Sequence, residues 1–281
     1  MEWTPDVSAG DWIAERVEHS FTTMHGVVPR GFEAYARIFH PATAQTLHGE
    51  PRRAPYSELS RDEVMDIASR TTTEPATWAQ AADAFGTVMH PEAQWGDLVK
   101  WSGRAGDFVS PMEAPDDRTF EAPHVGHPPA APVTSLAAVL ESFTTTAEDV
   151  FVGVWEGRGG VQGGDDREGA LSREVTDGPR LQLPGRGHIV FRGALSEFRA
   201  DDWMDHMPWN DHPLGLLQEA PTLIWPADHA WAVVSEIDFD STIVGGTQKL
   251  VDAVCSTDGL EALPIREGAS LTYDADTINR P

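Results

Sequence analysis

Residues 220–265 constrain the fold more than any other part of the chain, because they combine apolar order with candidate functional groups. The apolar run 222–225 ends at Pro226, which cannot donate a hydrogen bond to a sheet ladder and so marks a strand end. Residues 230–238 are rich in Trp, Val and Ile, which is typical of a strand, and their first half is apolar on both faces. The pattern predicts a central strand over 230–238.

A turn and a helix are predicted to follow this strand. Residues 241–246 end in two glycines and have the composition of a turn. Thr247 can then cap a helix whose apolar positions recur at the spacing i, i+1, i+4 and i+5, namely Leu250, Val251, Val254 and Cys255. The stripe predicts that Cys255 is a small buried hydrophobe and not a nucleophile.

Three segments of the chain stand out as motifs: WPADHAWAVVSEIDFDSTIVGG (225–246), VFVGVWEGRGG (150–160) and LPGRGHIVFRGAL (183–195). Together they resemble a family of hypothetical proteins from high-GC actinobacteria, and the block WPAD…EIDFDST…GG is the most specific part. Tyr or Trp is more usual in that family where this chain has Ile224 or Ile243. The resemblance implies a shared fold. The family has no established activity, so no catalytic residue is transferred from it.

The charge of the chain limits its partners. The 281 residues can bury a substantial core, and they carry a formal net charge of −25 at pH 7. Binding to DNA or RNA phosphates needs clustered Lys and Arg, so we expect no nucleic-acid partner. The same repulsion opposes docking on an anionic membrane. The acidity has two interpretations: a solvated surface that favours solubility, or an acidic face that captures a basic protein, as an immunity protein or antitoxin would.

Targeting features are scarce in this sequence. Cys255 is the single cysteine, so no disulfide can form within the chain, which fits a reducing cytosol. The N-terminal residues MEWTPDVSAGDW lack the basic start and apolar run of a secretion signal. No segment approaches the roughly 18 consecutive apolar residues that a transmembrane helix needs. We therefore expect a cytoplasmic protein.

Strand-like segments joined by tight turns, with helical segments set apart, indicate an α+β fold. We expect a largely antiparallel sheet with helices packed on one face. The segment 103–132 is rich in proline and poor in periodicity, which is typical of a domain boundary or a long loop. We expect one domain over 1–281, with subdomains 1–110 and 133–281 as the alternative. The likeness of the segments 28–39 and 183–191 raises the question of two pseudo-repeated halves.

The acidic exit of the predicted strand is the first candidate for chemistry. Glu236, Asp238 and Asp240 follow the apolar half of the strand, and Asp228 and His229 precede it. Carboxylates on one side of a strand end can bind a divalent cation, or can raise one another's pKa enough to make a general acid. The catalytic candidates of a hydrolase are therefore Glu236, Asp238, Asp240 and His229. The alternative is that the strand leaves the core here and its side chains are solvated.

The segment 201–212 is the second candidate, because it is dense in carboxylates and imidazoles. Mixed nitrogen and oxygen ligands suit a transition metal, and the candidate ligands are Asp202, His206 and His212. Their spacing matches no closed zinc pattern, and Asp-rich loops are usually solvated. A divalent metal is the one cofactor that the sequence leaves open.

The tryptophans give a third set of candidates. Trp203 and Trp209 lie among polar residues, where an indole could line a ligand groove or a partner surface, or could pack half-buried in a loop. Trp225 lies in a strand-like segment and is expected in the core. The binding candidates are Trp203, Trp209, Trp225 and Asp228.

Two functions remain open after these motifs. The glycine runs contain no dinucleotide-binding or phosphate-loop pattern, and no serine-nucleophile motif is present. The favoured function is a binding or interaction module with an acidic, Trp-bearing surface that meets a protein or small-molecule partner. The alternative is a carboxylate- or metal-dependent hydrolase that uses the acidic exit of residues 230–238.

Overall fold

The computed structural model describes residues 1–50, 58–103, 111–161, 169–212 and 218–280. The strands in these ranges are β1 (Glu2–Trp3), β2 (Ala34–Phe39), β3 (Ala42–Leu47), β4 (Thr71–Ala76), β5 (Met112–Glu113), β6 (Arg118–Glu121), β7 (Val150–Trp155), β8 (Leu181–Leu183), β9 (Arg186–Gly193), β10 (Leu223–Pro226), β11 (Ala232–Val234), β12 (Ser241–Gly246) and β13 (Ala262–Ile265). The α-helices are α1 (Asp11–Ala14), α2 (Arg61–Ser69), α3 (Trp78–Phe85), α4 (Trp95–Leu98), α5 (Ala130–Leu140), α6 (Arg173–Thr176) and α7 (Gln248–Cys255).

The chain divides into two compact units, and neither is a continuous stretch of sequence. Unit 1 comprises Met1–His40 and Val125–Thr272, and unit 2 comprises Pro41–His124 and Tyr273–Pro281. One boundary, at 124–125, falls inside the proline-rich segment 103–132, of which residues 104–110 lie outside the described ranges. The predicted α+β class with antiparallel sheets is confirmed. The two pseudo-repeated halves are not confirmed.

Unit 1 is built on one large antiparallel sheet. Its strand order is β1-β9-β7-β10-β11-β12-β2-β13, and β8 pairs with β9 off this path. Strands β10, β11 and β12 lie in the middle of the order, so residues 220–265 supply the centre of the sheet, as the sequence predicts. Residues 223–226 pair with β7, and Pro226 is the last residue of β10.

The boundaries of the central strands differ from the prediction in two places. Strand β11 covers only Ala232–Val234, because residues 236–239 form a tight turn in which the Phe239 amide donates to the Glu236 carbonyl at 3.0 Å. Residues 241–246 form strand β12 and are not a turn, so that prediction was wrong. Gly245 lies in the strand because Phe32 packs against it, and an added Cβ would come within 2.5 Å of that ring.

Because successive side chains of a strand point to opposite faces, the sheet has an apolar cluster on each face. One cluster includes Val152, Ile189, Val233 and Val244, with Val133 and Leu136 of α5 and Leu250, Val251 and Val254 of α7. The other includes Phe151, Val190, Trp225, Val234 and Ile243, with Ile13, Val28, Ala269 and Leu271. The two longest helices of unit 1 therefore share one face, and α1 contributes Ile13 to the other.

Helix α7 forms as its stripe predicts. The Thr247 hydroxyl accepts from the Leu250 amide at 3.2 Å, and Leu250, Val251 and Val254 are buried. Burial of each of these side chains contributes about 1.5–3 kcal/mol. Cys255 is half-buried against the same cluster, and burial together with the Asp252 charge raises the pKa of its thiol to about 11. A thiol with that pKa is a weak nucleophile at neutral pH.

Unit 2 contains a smaller antiparallel sheet of order β4-β3-β6-β5. Helix α2 begins with the capping box of Ser60 and Glu63, and α3 ends at Gly86, whose φ of +64° suits glycine. The buried Asp276 carboxylate accepts from His90 Nε2 at 2.9 Å and from the Asn279 amide, which fastens the C-terminal residues to this unit. Within the described ranges, no helix combines the length and apolar character that a membrane crossing requires.

Candidate functional site

Two of the predicted catalytic carboxylates share one arginine. Arg186, at the start of β9, donates from Nε to Glu236 Oε1 at 2.8 Å and from Nη2 to Asp238 Oδ2 at 2.9 Å. Its guanidinium also lies over the Trp155 ring, 5.1 Å from the centroid. Glu236 is buried, whereas the Asp238 side chain is 74% exposed. Both carboxylates bind this one guanidinium, so one oxygen of each is engaged in a structural ion pair.

The third carboxylate, Asp240, belongs to a different arginine. Arg37 is buried in unit 1, and its Nη2 donates to Asp240 Oδ1 at 3.1 Å while its Nε donates to Ser241 Oγ at 2.8 Å. Burial raises the pKa of Asp240, and the Arg37 charge opposes that rise. The expected common site of three carboxylates is therefore not assembled, because each acid binds a cationic side chain of the fold.

His229 and Asp228 lie in the connection between β10 and β11, where they perform structural tasks. His229 has a left-handed backbone with φ of +56°, and its ring stacks on Trp12 with centroids 4.7 Å apart. Burial lowers the pKa of His229, and the positive charge of Arg16 lowers it further. Asp228 accepts from the Thr145 amide at 2.7 Å and from the Ala230 amide at 3.1 Å, so it closes this connection.

The three tryptophans predicted for binding are all in the core. Trp203, Trp209 and Trp225 are at most 1% exposed. Their indole N–H groups donate to backbone carbonyls, those of Ala130 at 3.3 Å, Glu219 at 2.9 Å and Ala9 at 3.1 Å respectively. The interpretation of Trp203 and Trp209 as part of an exposed, Trp-lined surface was wrong, whereas Trp225 lies in the core as expected. The segment 201–212 turns its indoles inward and its carboxylates outward. A loop has no regular periodicity, so the sequence does not show which of its side chains face the core.

The predicted metal ligands form only a pair. His206 Nε2 lies 3.2 Å from Asp202 Oδ2, and both side chains are well exposed. The amide of His212 donates to the Asn210 carbonyl at 2.7 Å. Among the described residues, no group of three or more His, Cys, Asp or Glu side chains is arranged to hold a metal ion.

A pocket lies on the α5 face of the unit 1 sheet, and it contains about 340 Å³ of space, part of which is open to solvent. Two cross-strand pairs form its floor: Thr242 opposite Ile38, and Val233 opposite Ile224. The walls are mainly apolar and consist of Pro128, Pro132, Val133, Leu136, Ala220 and Pro221. Sequence reasoning did not find this site, because its walls come from segments far apart in the chain.

The polar groups of the pocket form a chain of hydrogen bonds. Ser235 Oγ lies 2.7 Å from Thr242 Oγ1, and Thr242 Oγ1 lies 2.9 Å from His40 Nε2. The three side chains are at most 3% exposed. Ser235 lies two residues after Val233, and Thr242 lies two residues before Val244, so both hydroxyls are on the same apolar face of the sheet as these valines. A hydroxyl at a core-facing strand position is the one sequence signal that could have indicated this site.

A glycine fixes the loop beside the pocket. Gly126 has φ of +95°, and its amide donates to the Phe239 carbonyl at 2.8 Å. A Cβ at this position would come within 2.9 Å of the Ile237 carbonyl oxygen, so only glycine allows the close approach. The Gly126 carbonyl accepts from Nη2 of the buried Arg158 at 3.3 Å. These contacts hold the loop that carries Pro128 into the pocket wall.

The geometry favours binding over nucleophilic catalysis. A serine nucleophile needs direct contact with its base, whereas Thr242 stands between Ser235 and His40. The backbone amide of Ser235 donates to the Thr222 carbonyl at 2.8 Å. This amide is therefore used by the sheet and does not point at a reacting atom. The polar chain can orient a bound molecule, and none of the side chains that line the pocket in the described residues is charged.

Known proteins provide no further guide to this site. Comparison of the chain with protein-family models finds no match, and neither the curated proteins nor the solved structures include a match. The resemblance to the actinobacterial family stays a prediction.

Proposed function

We propose that the chain is a binding module for a compact, largely apolar small molecule. The ligand lies in the pocket between α5 and four neighbouring strands of the sheet, β10, β11, β12 and β2. The observation that carries the proposal is the lining, in which apolar side chains surround the two hydroxyl groups of Ser235 and Thr242. His40 lies behind this lining and is hydrogen-bonded to Thr242. Ligand sites in proteins are typically apolar, with a few placed polar groups that fix orientation.

The hydrolase alternative has less support. Glu236, Asp238 and Asp240 are each paired with an arginine, so one oxygen of each carboxylate is already engaged within the fold. A protein-binding surface built on tryptophan also loses its support, since the candidate indoles are buried. As part of the proposal we place the protein in the cytoplasm, with its single cysteine consistent with a reducing compartment.

Methyl NMR with a simple apolar probe tests the proposal. The full chain, labelled at the methyl groups of Ile, Leu and Val, is titrated with toluene, because apolar cavities in proteins take up small aromatic molecules. We expect saturable shifts at Ile38, Val133, Leu136, Ile224 and Val233, with methyl groups of the opposite face, such as Val234 and Ile243, unaffected.

A filling variant provides the control. Ile224→Phe places a larger side chain in the pocket and should abolish the saturable shifts. Val244→Ile enlarges a residue on the same face that does not line the pocket, and should leave them intact. Overpacking costs about 1–3 kcal/mol, so far-UV circular dichroism must first show that both variants fold. If toluene shifts no pocket methyl, or shifts the same methyls equally in the filled variant, the proposed function is wrong.

A further inference from the structure

The Ser235 hydroxyl has hydrogen-bonding capacity that the protein does not use. A hydroxyl group can donate one hydrogen bond and accept two. Among the described residues, the only partner of Ser235 Oγ is Thr242 Oγ1 at 2.7 Å. Because Ser235 lines the pocket, its remaining capacity is available to a bound molecule. A buried donor or acceptor that has no partner costs free energy, so a ligand that hydrogen-bonds to Ser235 binds more favourably than one that does not.

The direction of the hydrogen-bond chain determines what Ser235 offers. When His40 Nε2 accepts, Thr242 donates to it and Ser235 donates to Thr242, so lone pairs of Ser235 face the pocket. When Nε2 carries the proton, His40 donates to Thr242, and Thr242 can then donate its own proton to Ser235, which leaves the Ser235 hydroxyl free to donate. The two tautomers of His40 therefore present an acceptor and a donor respectively.

An alcohol satisfies either direction of the chain, because its hydroxyl group both donates and accepts. A carboxylate is disfavoured, because no cationic side chain lines the pocket in the described residues and an unpaired buried charge is expensive. We propose that the pocket selects a compact neutral ligand with a terminal hydroxyl group, which hydrogen-bonds to Ser235. This inference rests on the proposed function and adds the chemical class of the ligand.

Three probes with one carbon skeleton test the inference: toluene, benzyl alcohol and benzoate. Their dissociation constants for the full chain are measured by calorimetry, and methyl NMR locates each complex. We expect benzyl alcohol to bind about 3- to 10-fold more tightly than toluene, the gain of one neutral hydrogen bond, and benzoate to bind most weakly.

Ser235→Ala is the decisive variant. It should bring the affinity for benzyl alcohol down to that for toluene and leave toluene binding unchanged. Ser241→Ala removes a buried hydroxyl from the opposite face of the same sheet and should preserve the preference for the alcohol. Ser235→Cys replaces the hydroxyl with a thiol, which is only a weak donor and acceptor, and provides a second variant should Ser235→Ala fail to fold; it should also reduce that preference.

The outcomes separate the two proposals. Toluene binding without a preference for benzyl alcohol, a preference that survives in both Ser235→Ala and Ser235→Cys, or benzoate as the tightest probe would each overturn the selection of an alcohol and leave the pocket as a binding site. If none of the three probes shifts the pocket methyl groups, the proposed function itself falls, and this inference falls with it.

Discussion

At the level of single residues, His188 is the group that the fold perturbs most clearly. It lies in β9 opposite Trp155 and is 2% exposed. Its Nδ1 atom is buried and has no hydrogen-bond partner among the described residues. Burial, with smaller contributions from the charges of Arg186 and Arg158, lowers the pKa of His188 to about 3. The imidazole is therefore neutral in the folded protein at neutral pH.

A buried neutral histidine makes stability fall as the solution becomes acidic. The folded pKa is about 3 and lies below the ordinary value of 6.5, so the unfolded chain binds one more proton between these limits. Above pH 6.5 the imidazole is neutral in both states, so His188 adds no pH dependence to the stability. Below pH 6.5 the free energy of unfolding falls by about 1.4 kcal/mol per pH unit down to about pH 3. We predict that His188→Leu removes this slope.

Urea unfolding at pH 7 and pH 4 measures the effect. Between these two values the wild-type protein should lose about 3 kcal/mol more stability than the His188→Leu variant. Other titrating groups contribute equally to both proteins, so the difference isolates His188. Parallel losses in the two proteins would show that the imidazole is protonated in the folded state.

At the level of elements, Arg186 joins the start of β9 to the turn between β11 and β12. Its two carboxylate partners provide a matched comparison, since Glu236 is buried and Asp238 is 74% exposed. Arg186→Met leaves the buried Glu236 without its cationic partner, and we predict a loss of about 3–5 kcal/mol. Asp238→Asn removes only the exposed pair and should cost less than about 1 kcal/mol.

Equilibrium unfolding in urea at pH 7 distinguishes these cases. The double variant Arg186→Met with Glu236→Gln removes both members of the buried pair and should recover part of the loss, because no uncompensated charge is left. A loss in Asp238→Asn as large as that in Arg186→Met would contradict the view that the buried member dominates.

Elements with local signals could be predicted from the sequence. Helix α7 follows from the Thr247 cap and its apolar stripe, and α2 follows from the Ser60–Glu63 capping box. Strand β12 could not be predicted, since Gly245 and Gly246 indicate a turn until Phe32 and Leu250 are known to occupy the space beside them. Glycine was read for its flexibility, whereas here it serves close packing.

The candidate site shows the same limit on a larger scale. The predicted carboxylates were judged by their spacing along the chain, but their roles depend on Arg186 and Arg37, which are distant in sequence. The pocket joins residues from four strands and α5. Only its two hydroxyls are visible in the sequence, as polar residues at core-facing positions of an otherwise apolar pattern. Composition predicts class and charge, while long-range pairing determines the site.

At the level of the whole molecule, the net charge of −25 is the dominant electrostatic property. Many of the arginines that the structure describes are already paired with carboxylates, namely Arg30, Arg37, Arg70, Arg118, Arg158, Arg180, Arg186, Arg192, Arg199 and Arg280. Asp and Glu outnumber Lys and Arg by 45 to 20 in the chain, so a surplus of negative charge remains, and a large net charge destabilises a compact state through self-repulsion.

Salt should therefore stabilise this protein at neutral pH. Raising NaCl from about 20 mM to about 500 mM shortens the Debye length from roughly 20 Å to about 4 Å, which screens the excess repulsion. Exposed ion pairs are weakened as well, but each contributes only about 0–1 kcal/mol. We predict that the free energy of unfolding in urea at pH 7 rises by on the order of 1 kcal/mol.

The same salt series near the isoelectric point of about 4.6 provides the control. There the net charge vanishes and the repulsion with it, so the gain on adding salt should shrink or change sign. This comparison separates charge screening from any general effect of NaCl on apolar burial, because the latter persists at both pH values. A fall in stability with salt at pH 7 would mean that the arginine pairs, and not the surplus carboxylates, dominate the electrostatic free energy of the fold.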